Sequence, residues 1–134
     1  MSDVDTPGPG RADRALRVAG GVVAFLWGAG SALVEGLLTP LRLAGWPAPV
    51  APLLAAALGV PLVVYATVVT GHRFGGLLPA AGWLGAVSLL VVRTPEGDLL
   101  LPESGAGYAL FLAGTLGFLV GLYRSPYDAG RRWR

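Results

Sequence analysis

Residues 18–39 read VAGGVVAFLWGAGSALVEGLLT, and only Ser31 and Glu35 interrupt the apolar character of this stretch before its last residue. A helix needs about 20 such residues to cross a hydrocarbon core that is about 30 Å thick. The stretch therefore predicts a transmembrane helix, and Pro40 is expected to end it. Its apolar part is longer than the core of a signal peptide, which is about 7–15 residues, so we expect the helix to be retained.

Three further apolar stretches have the length of membrane spans, and they cover residues 50–70, 77–92 and 106–123. The predicted fold is all-α, a four-helix transmembrane bundle over residues 18–124. We expect residues 1–17 to form a disordered tail with a basic end, because Pro, Gly and Asp there show no periodicity. Residues 125–134 are expected to form a basic tail against anionic lipid headgroups.

The composition supports the membrane class and excludes several kinds of chemistry. Of the 134 residues, 54% are hydrophobic and 13% are charged, whereas a soluble domain has about 25% charged residues. A soluble chain of this size cannot bury so much apolar surface. There is no cysteine, one histidine (His72) and no lysine, so we expect no metal, no cofactor and no enzymatic activity. The net charge of +2 is too small to predict a nucleic-acid partner.

The arginines predict the orientation of the four spans. With four spans, eight arginines lie on one side and two on the other. Arginine-rich segments stay on the cytoplasmic side of a membrane. We therefore predict a multi-pass plasma-membrane protein with both termini in the cytoplasm. The eight cytoplasmic arginines are Arg11, Arg14, Arg17, Arg73, Arg124, Arg131, Arg132 and Arg134; the two outer ones are Arg42 and Arg93.

Small residues recur at every fourth position in the first and fourth spans. Small side chains let membrane helices approach closely, which supplies much of their association energy. The two series favour packing of the first helix on the fourth, or pairing of a series across a dimer. The first series is Gly20, Ala24, Gly28, Ala32 and Gly36, and the second is Gly105, Ala109, Ala113, Gly117 and Gly121.

Glu35 is the only ionisable residue inside a predicted span. A carboxylate within a membrane is a candidate proton or cation site, here at the outer mouth near the loop acids Glu96, Asp98 and Glu103. The alternative is a structural anchor, paired with Arg42 or Arg93 or hydrogen-bonded to a neighbouring helix. For the loop acids we favour a solvated turn with surface ion pairs, because their spacing does not match a calcium-binding loop.

The segments AAGW at 80–83, RTPEGDLL at 93–100 and GAGY at 105–108 resemble a family of small actinobacterial membrane proteins of unknown function. The Pro-Glu-Gly-Asp turn before the fourth helix is the most specific part of the likeness. The resemblance implies four helices without an assigned activity. Members of that family are often encoded near a mycothiol-pathway deacetylase.

Two functions remain open from the sequence. The first is a non-enzymatic accessory, assembly or structural subunit of a membrane complex, with the lipid bilayer and a membrane-protein partner or a second copy as its partners. The second is a small oligomeric transporter or channel that uses Glu35. The lack of reactive side chains in one place favours the first.

Overall fold

The computed structural model describes residues 10–92 and 105–125, and this part of the chain contains four α-helices. Each is long and apolar enough to cross a membrane, if the third is counted together with the 3₁₀ turn (Arg73–Gly76) that precedes it. The predicted all-α, four-helix class is confirmed. The helices are α1 (Arg11–Leu38), α2 (Val50–Thr70), α3 (Leu77–Val91) and α4 (Gly105–Tyr123).

Helix α1 begins earlier than the sequence predicts. Residues 11–17, which we predict to be disordered, form its first two turns. Asp13 lies in the first turn, where a negative charge interacts favourably with the helix dipole. Its carboxylate also accepts a hydrogen bond from Nε of Arg17 one turn later, at 3.0 Å. This local ion pair stabilises a helical start that the apolar periodicity does not indicate.

The connection between α1 and α2 contains a small β-hairpin rather than a plain loop. Its strands are β1 (Arg42–Leu43) and β2 (Trp46–Pro47), paired antiparallel. The two residues between them, Ala44 and Gly45, have φ angles of 52° and 86°. Two consecutive left-handed residues form the turn that suits the twist of a two-residue hairpin.

Helices α1 and α3 cross at a pair of glycines. Gly28 of α1 lies against the carbonyl group of Pro79, and Gly82 of α3 lies against the carbonyl group of Phe25. A β-carbon at either glycine would overlap the backbone of the other helix. The crossing therefore depends on residues without side chains, as is common in membrane helix pairs.

Helices α2 and α4 also meet backbone to backbone. A β-carbon on Gly59 would lie 2.6 Å from the carbonyl carbon of Gly117, and one on Gly117 would lie 2.7 Å from the carbonyl oxygen of Ala56. In the described part of the chain, α1 packs mainly on α3 and α2, and α4 packs mainly on α2. The expected packing of the first helix on the fourth is therefore not the arrangement found within the chain.

The helices alternate in direction, so both described ends of the chain lie at one end of the bundle. A guanidinium nitrogen of Arg17 donates to the carbonyl oxygen of Thr70 at 3.4 Å, which joins the start of α1 to the end of α2. Gly76, before α3, lies against Leu122 near the end of α4. We call this the arginine end: among the described residues it has five arginines, while the opposite end has Arg42. The five are Arg11, Arg14, Arg17, Arg73 and Arg124.

Hydroxyl groups on the outer faces of the helices donate hydrogen bonds to backbone carbonyl oxygens of their own helix. The exposed Ser88 donates to the carbonyl oxygen of Leu84 at 2.7 Å, and Thr115 donates to that of Phe111 at 2.8 Å. Such bonds allow a hydroxyl to face a medium without water. Around them the exposed side chains of the four helices are mostly large and apolar, which suits a surface in contact with lipid.

Candidate functional site

Glu35 is buried between helices and bonded to a tryptophan. Its side chain is 1% exposed, and the indole of Trp83 on α3 is fully buried. The indole Nε1 donates to Oε2 of Glu35 at 2.7 Å. Because helix side chains tilt toward the helix N-terminus, the carboxylate reaches back from the last turns of α1 to a residue in the middle of α3.

Trp83 extends this contact to α4. Its ring lies 5.6 Å from that of Phe118 and 6.1 Å from that of Phe111, centroid to centroid, at tilted angles. Gly114 lies between these phenylalanines along α4, and a β-carbon there would overlap the indole. One side chain of α3 thus contacts both α1 and α4, and we call Glu35 with Trp83 the central pair.

The polar groups nearest in sequence to Glu35 are bonded within α1 and its cap. Ser31 donates to the carbonyl oxygen of Gly28 at 2.9 Å, and Thr39 donates to the backbone carbonyl oxygen of Glu35 at 2.9 Å. The other carboxylate oxygen, Oε1, is buried without a hydrogen-bond partner among the described residues. The indole is therefore the one side-chain donor to this carboxylate within the described structure.

Hydrogen bonding to a neighbouring helix was one of the alternatives for Glu35, and it is the interaction seen here. Arg42 is exposed on the hairpin, and the ion pair recorded among the described residues joins Asp13 to Arg17. The other sequence-predicted members of the site lie outside the described residues; they are Arg93, Glu96, Asp98 and Glu103. Within residues 10–92 and 105–125, no three His, Asp or Glu side chains come together as a metal site.

The two series of small residues lie differently in the bundle. All five members in α1 are buried, namely Gly20, Ala24, Gly28, Ala32 and Gly36. In α4, Gly117 and Gly121 are buried, Ala113 is half-buried, and Ala109 and Gly105 are exposed. The close-packed face of α4 instead follows Gly107, Gly114, Gly117 and Gly121.

Trp83 is the site residue that the sequence analysis does not single out. The sequence nevertheless contains one indication that Trp83 could bond to Glu35. A buried indole N–H needs an acceptor, and Glu35 is the only carboxylate inside a predicted span. Counting donors and acceptors in the apolar region makes Trp83 a candidate partner of Glu35, but it does not distinguish Trp83 from Trp27, the other indole inside a predicted span.

A groove runs along the outside of α1 and α2, and we call it the α1–α2 groove. Its volume is about 490 Å³, and the residues that line it are apolar except for Ser31. Gly30 faces open space, since a β-carbon there would meet nothing within 4 Å. Beside it the indole of Trp27 is 63% exposed. The lining residues are Val23, Leu26, Trp27, Gly30, Ser31, Val34, Leu58 and Leu62.

Comparison with known proteins gives no match to a family model, a curated protein or a solved structure. The likeness to an actinobacterial membrane family therefore stays a prediction.

Proposed function

We propose that this protein is an integral plasma-membrane protein without catalytic activity, and that it acts as an accessory or assembly subunit of a membrane complex. The α1–α2 groove is the observation that carries the proposal. Lipid gives no hydrophobic driving force for helix association, so association requires surfaces that allow close packing. Gly30, between the larger Trp27 and Val34, provides such a surface for a partner helix.

The central pair supports the same proposal. Glu35, the carboxylate that made transport a candidate, is buried and bonded to Trp83. A buried side chain with a specific partner on another helix is what a structural role requires. Such a subunit acts through its outer surface, where a partner helix can pack.

We propose that both termini face the cytoplasm. The arginine end carries five of the six described arginines, and positively charged residues are retained on the cytoplasmic side during insertion. The cytoplasmic side of the bundle is then the end where α1 begins and α4 ends.

Replacing Gly30 with leucine is expected to abolish the association with a partner while leaving the bundle folded. The new side chain fills the α1–α2 groove, meets no atom of its own chain within 4 Å at Cβ, and raises helix propensity. The measurement is quantitative mass spectrometry of proteins that copurify with the full chain in mild detergent. We expect a stoichiometric partner with the wild type and its loss with Gly30→Leu.

Gly85→Leu is the matched control, because Gly85 lies on α3, away from the groove, and also faces open space. It should retain the partner. Loss of the partner with both variants, or retention with both, would contradict the proposal. Recovery of the wild type without a stoichiometric partner, or only as copies of itself, would do so as well.

The runner-up is a small oligomeric transporter or channel, and one observation favours it. Oε1 of Glu35 is buried and has no hydrogen-bond partner among the described residues, which leaves an acceptor for a proton or a cation. In this case Glu35→Gln should abolish proton- or cation-coupled flux in proteoliposomes, because glutamine keeps the shape but not the titratable group. Unchanged flux in this variant would remove Glu35 from the transport mechanism.

A further inference from the structure

A second groove lies at the arginine end of the bundle. It has a volume of about 480 Å³ and lies where α1, the end of α2 and the start of α3 meet. Its described walls are apolar except at its mouth, where Arg17 and Thr70 lie. The α1 wall from Val18 to Phe25 is about 10 Å long at 1.5 Å per residue. The groove is thus apolar along its length and basic at one end.

Arg17 is held at this mouth by two contacts. Its Nε donates to Asp13 at 3.0 Å, and its Nη1 donates to the carbonyl oxygen of Thr70 at 3.4 Å. Gly71, with φ of 65°, lies directly against the guanidinium, and a β-carbon there would overlap it. The Nη2 amino group makes no hydrogen bond with the described residues, and the side chain is 47% exposed.

Among the described residues, the charge at this end is strongly unbalanced. Five described arginines lie there, and Asp13 is the acidic residue recorded with them. Asp13 accepts from Nε of Arg17 and Thr70 accepts from Nη1, which leaves the Nη2 amino group to donate to an anion. Guanidinium groups bind phosphate with directional hydrogen bonds, and basic pockets between membrane helices bind anionic headgroups.

We propose that this groove is a binding site for an anionic phospholipid, with one acyl chain between α1 and α3 and the headgroup phosphate on Arg17. Charge complementarity selects the occupant, because the groove combines an apolar body with a basic mouth. The volume lies within the range of small-molecule sites, about 300–1,000 Å³. The inference concerns lipid binding, and it is independent of a protein partner at the α1–α2 groove.

The test uses the full chain in nanodiscs of phosphatidylcholine with increasing phosphatidylglycerol of the same acyl chains. Lipids retained by the released protein are counted by native mass spectrometry. The wild type should retain phosphatidylglycerol in a saturable manner and in preference to phosphatidylcholine. Arg17→Gln should weaken this preference at least about fivefold, which corresponds to about 1 kcal/mol.

Val22→Trp tests the acyl part without changing the charge. Val22 lines the groove and is 53% exposed, so an indole there fills the groove without entering the bundle interior. We expect saturable retention of phosphatidylglycerol to be lost. Because Arg17 also contacts the end of α2, this second variant keeps the proposal testable if Arg17→Gln fails to fold.

Two controls lie toward the opposite end of the bundle. Arg42→Gln removes a charge there, and Leu53→Trp adds an indole at a position that is 65% exposed; both should behave as the wild type. An equal effect of Arg42→Gln would mean general surface attraction and would overturn the proposal. Equal retention of the two lipids, no effect of Val22→Trp, or displacement of the lipid by millimolar inorganic phosphate would overturn it as well.

Discussion

Trp83→Ala is expected to destabilise the bundle by about 3–5 kcal/mol, the usual cost of truncating a fully buried aromatic residue. The indole contacts α1 through Glu35 and α4 through Phe111 and Phe118. Its removal leaves a cavity among three helices. It also leaves the buried carboxylate of Glu35 without the donor that the structure gives it.

Two milder variants test how much of the stability cost of Trp83→Ala comes from the lost hydrogen bond and how much from the lost indole volume. Trp83→Phe keeps an aromatic ring but removes the N–H, and Glu35→Leu removes the acceptor. Each should cost about 1–3 kcal/mol, because one buried polar group then loses its partner. The double variant has apolar groups at both positions, so its cost should be smaller than the sum of the two.

The measurement is the unfolding of the full chain in mixed micelles with increasing dodecyl sulfate, followed by far-ultraviolet circular dichroism. Glu35→Gln serves as the control, since its amide oxygen still accepts the indole N–H, and it should remain within about 1 kcal/mol of the wild type. Wild-type stability for Trp83→Phe and Glu35→Leu would show that the bond does not stabilise the fold. Strict additivity in the double variant would show that the two residues are not coupled.

The helices were predictable from the sequence because each has the apolar length that a helix needs to cross a lipid bilayer. Apolar length is a local property of the sequence. The predicted ends of α2, α3 and α4 therefore lie within one residue of the observed ends. The start of α1 was missed for a physical reason. Four of the seven residues 11–17 are charged, so this segment shows no apolar periodicity, although the Asp13–Arg17 ion pair supports its helical form.

The contact between Glu35 and Trp83 was not predictable from spacing, because 48 residues separate them. Whether α1 packs on α3 or on α4 depends on crossing geometry, which no local pattern reports. The sequence did restrict the choices for Glu35, and hydrogen bonding to another helix was among them. It did not indicate which donor would be within reach.

The small-residue series show that a spacing of four residues does not by itself predict which members pack against another helix. Successive helical residues are rotated by about 100°, so each step of four residues turns the series by about 40° around the helix. Five members therefore cover a wide arc. Helix α1 packs on both α3 and α2, and all five of its members are buried. Helix α4 packs mainly on α2, but Ala109 lines an open groove beside the start of α2 and is exposed.

Gly117→Leu is expected to disrupt the packing of α4 on α2, with a cost of at least about 3 kcal/mol. A β-carbon at Gly117 would lie 2.7 Å from the carbonyl oxygen and 2.9 Å from the α-carbon of Ala56. These are backbone atoms of a regular helix, so they cannot move aside as a side chain can. The two helices must separate, and the cost should reach the upper part of the range for overpacked positions.

Ala109→Leu is the matched comparison, because it places the same side chain on the same helix in the same small-residue series. Ala109 is exposed, so the structure predicts that its replacement leaves stability within about 0.5 kcal/mol of the wild type. A series in which every member packed against a helix would predict a large loss at both positions. Unfolding in mixed micelles measures both variants side by side.

If Ala109→Leu destabilised as strongly as Gly117→Leu, the face of α4 against α2 would differ from the one described. If Gly117→Leu had the stability of the wild type, the close approach of Gly117 to Ala56 would be absent from the folded protein.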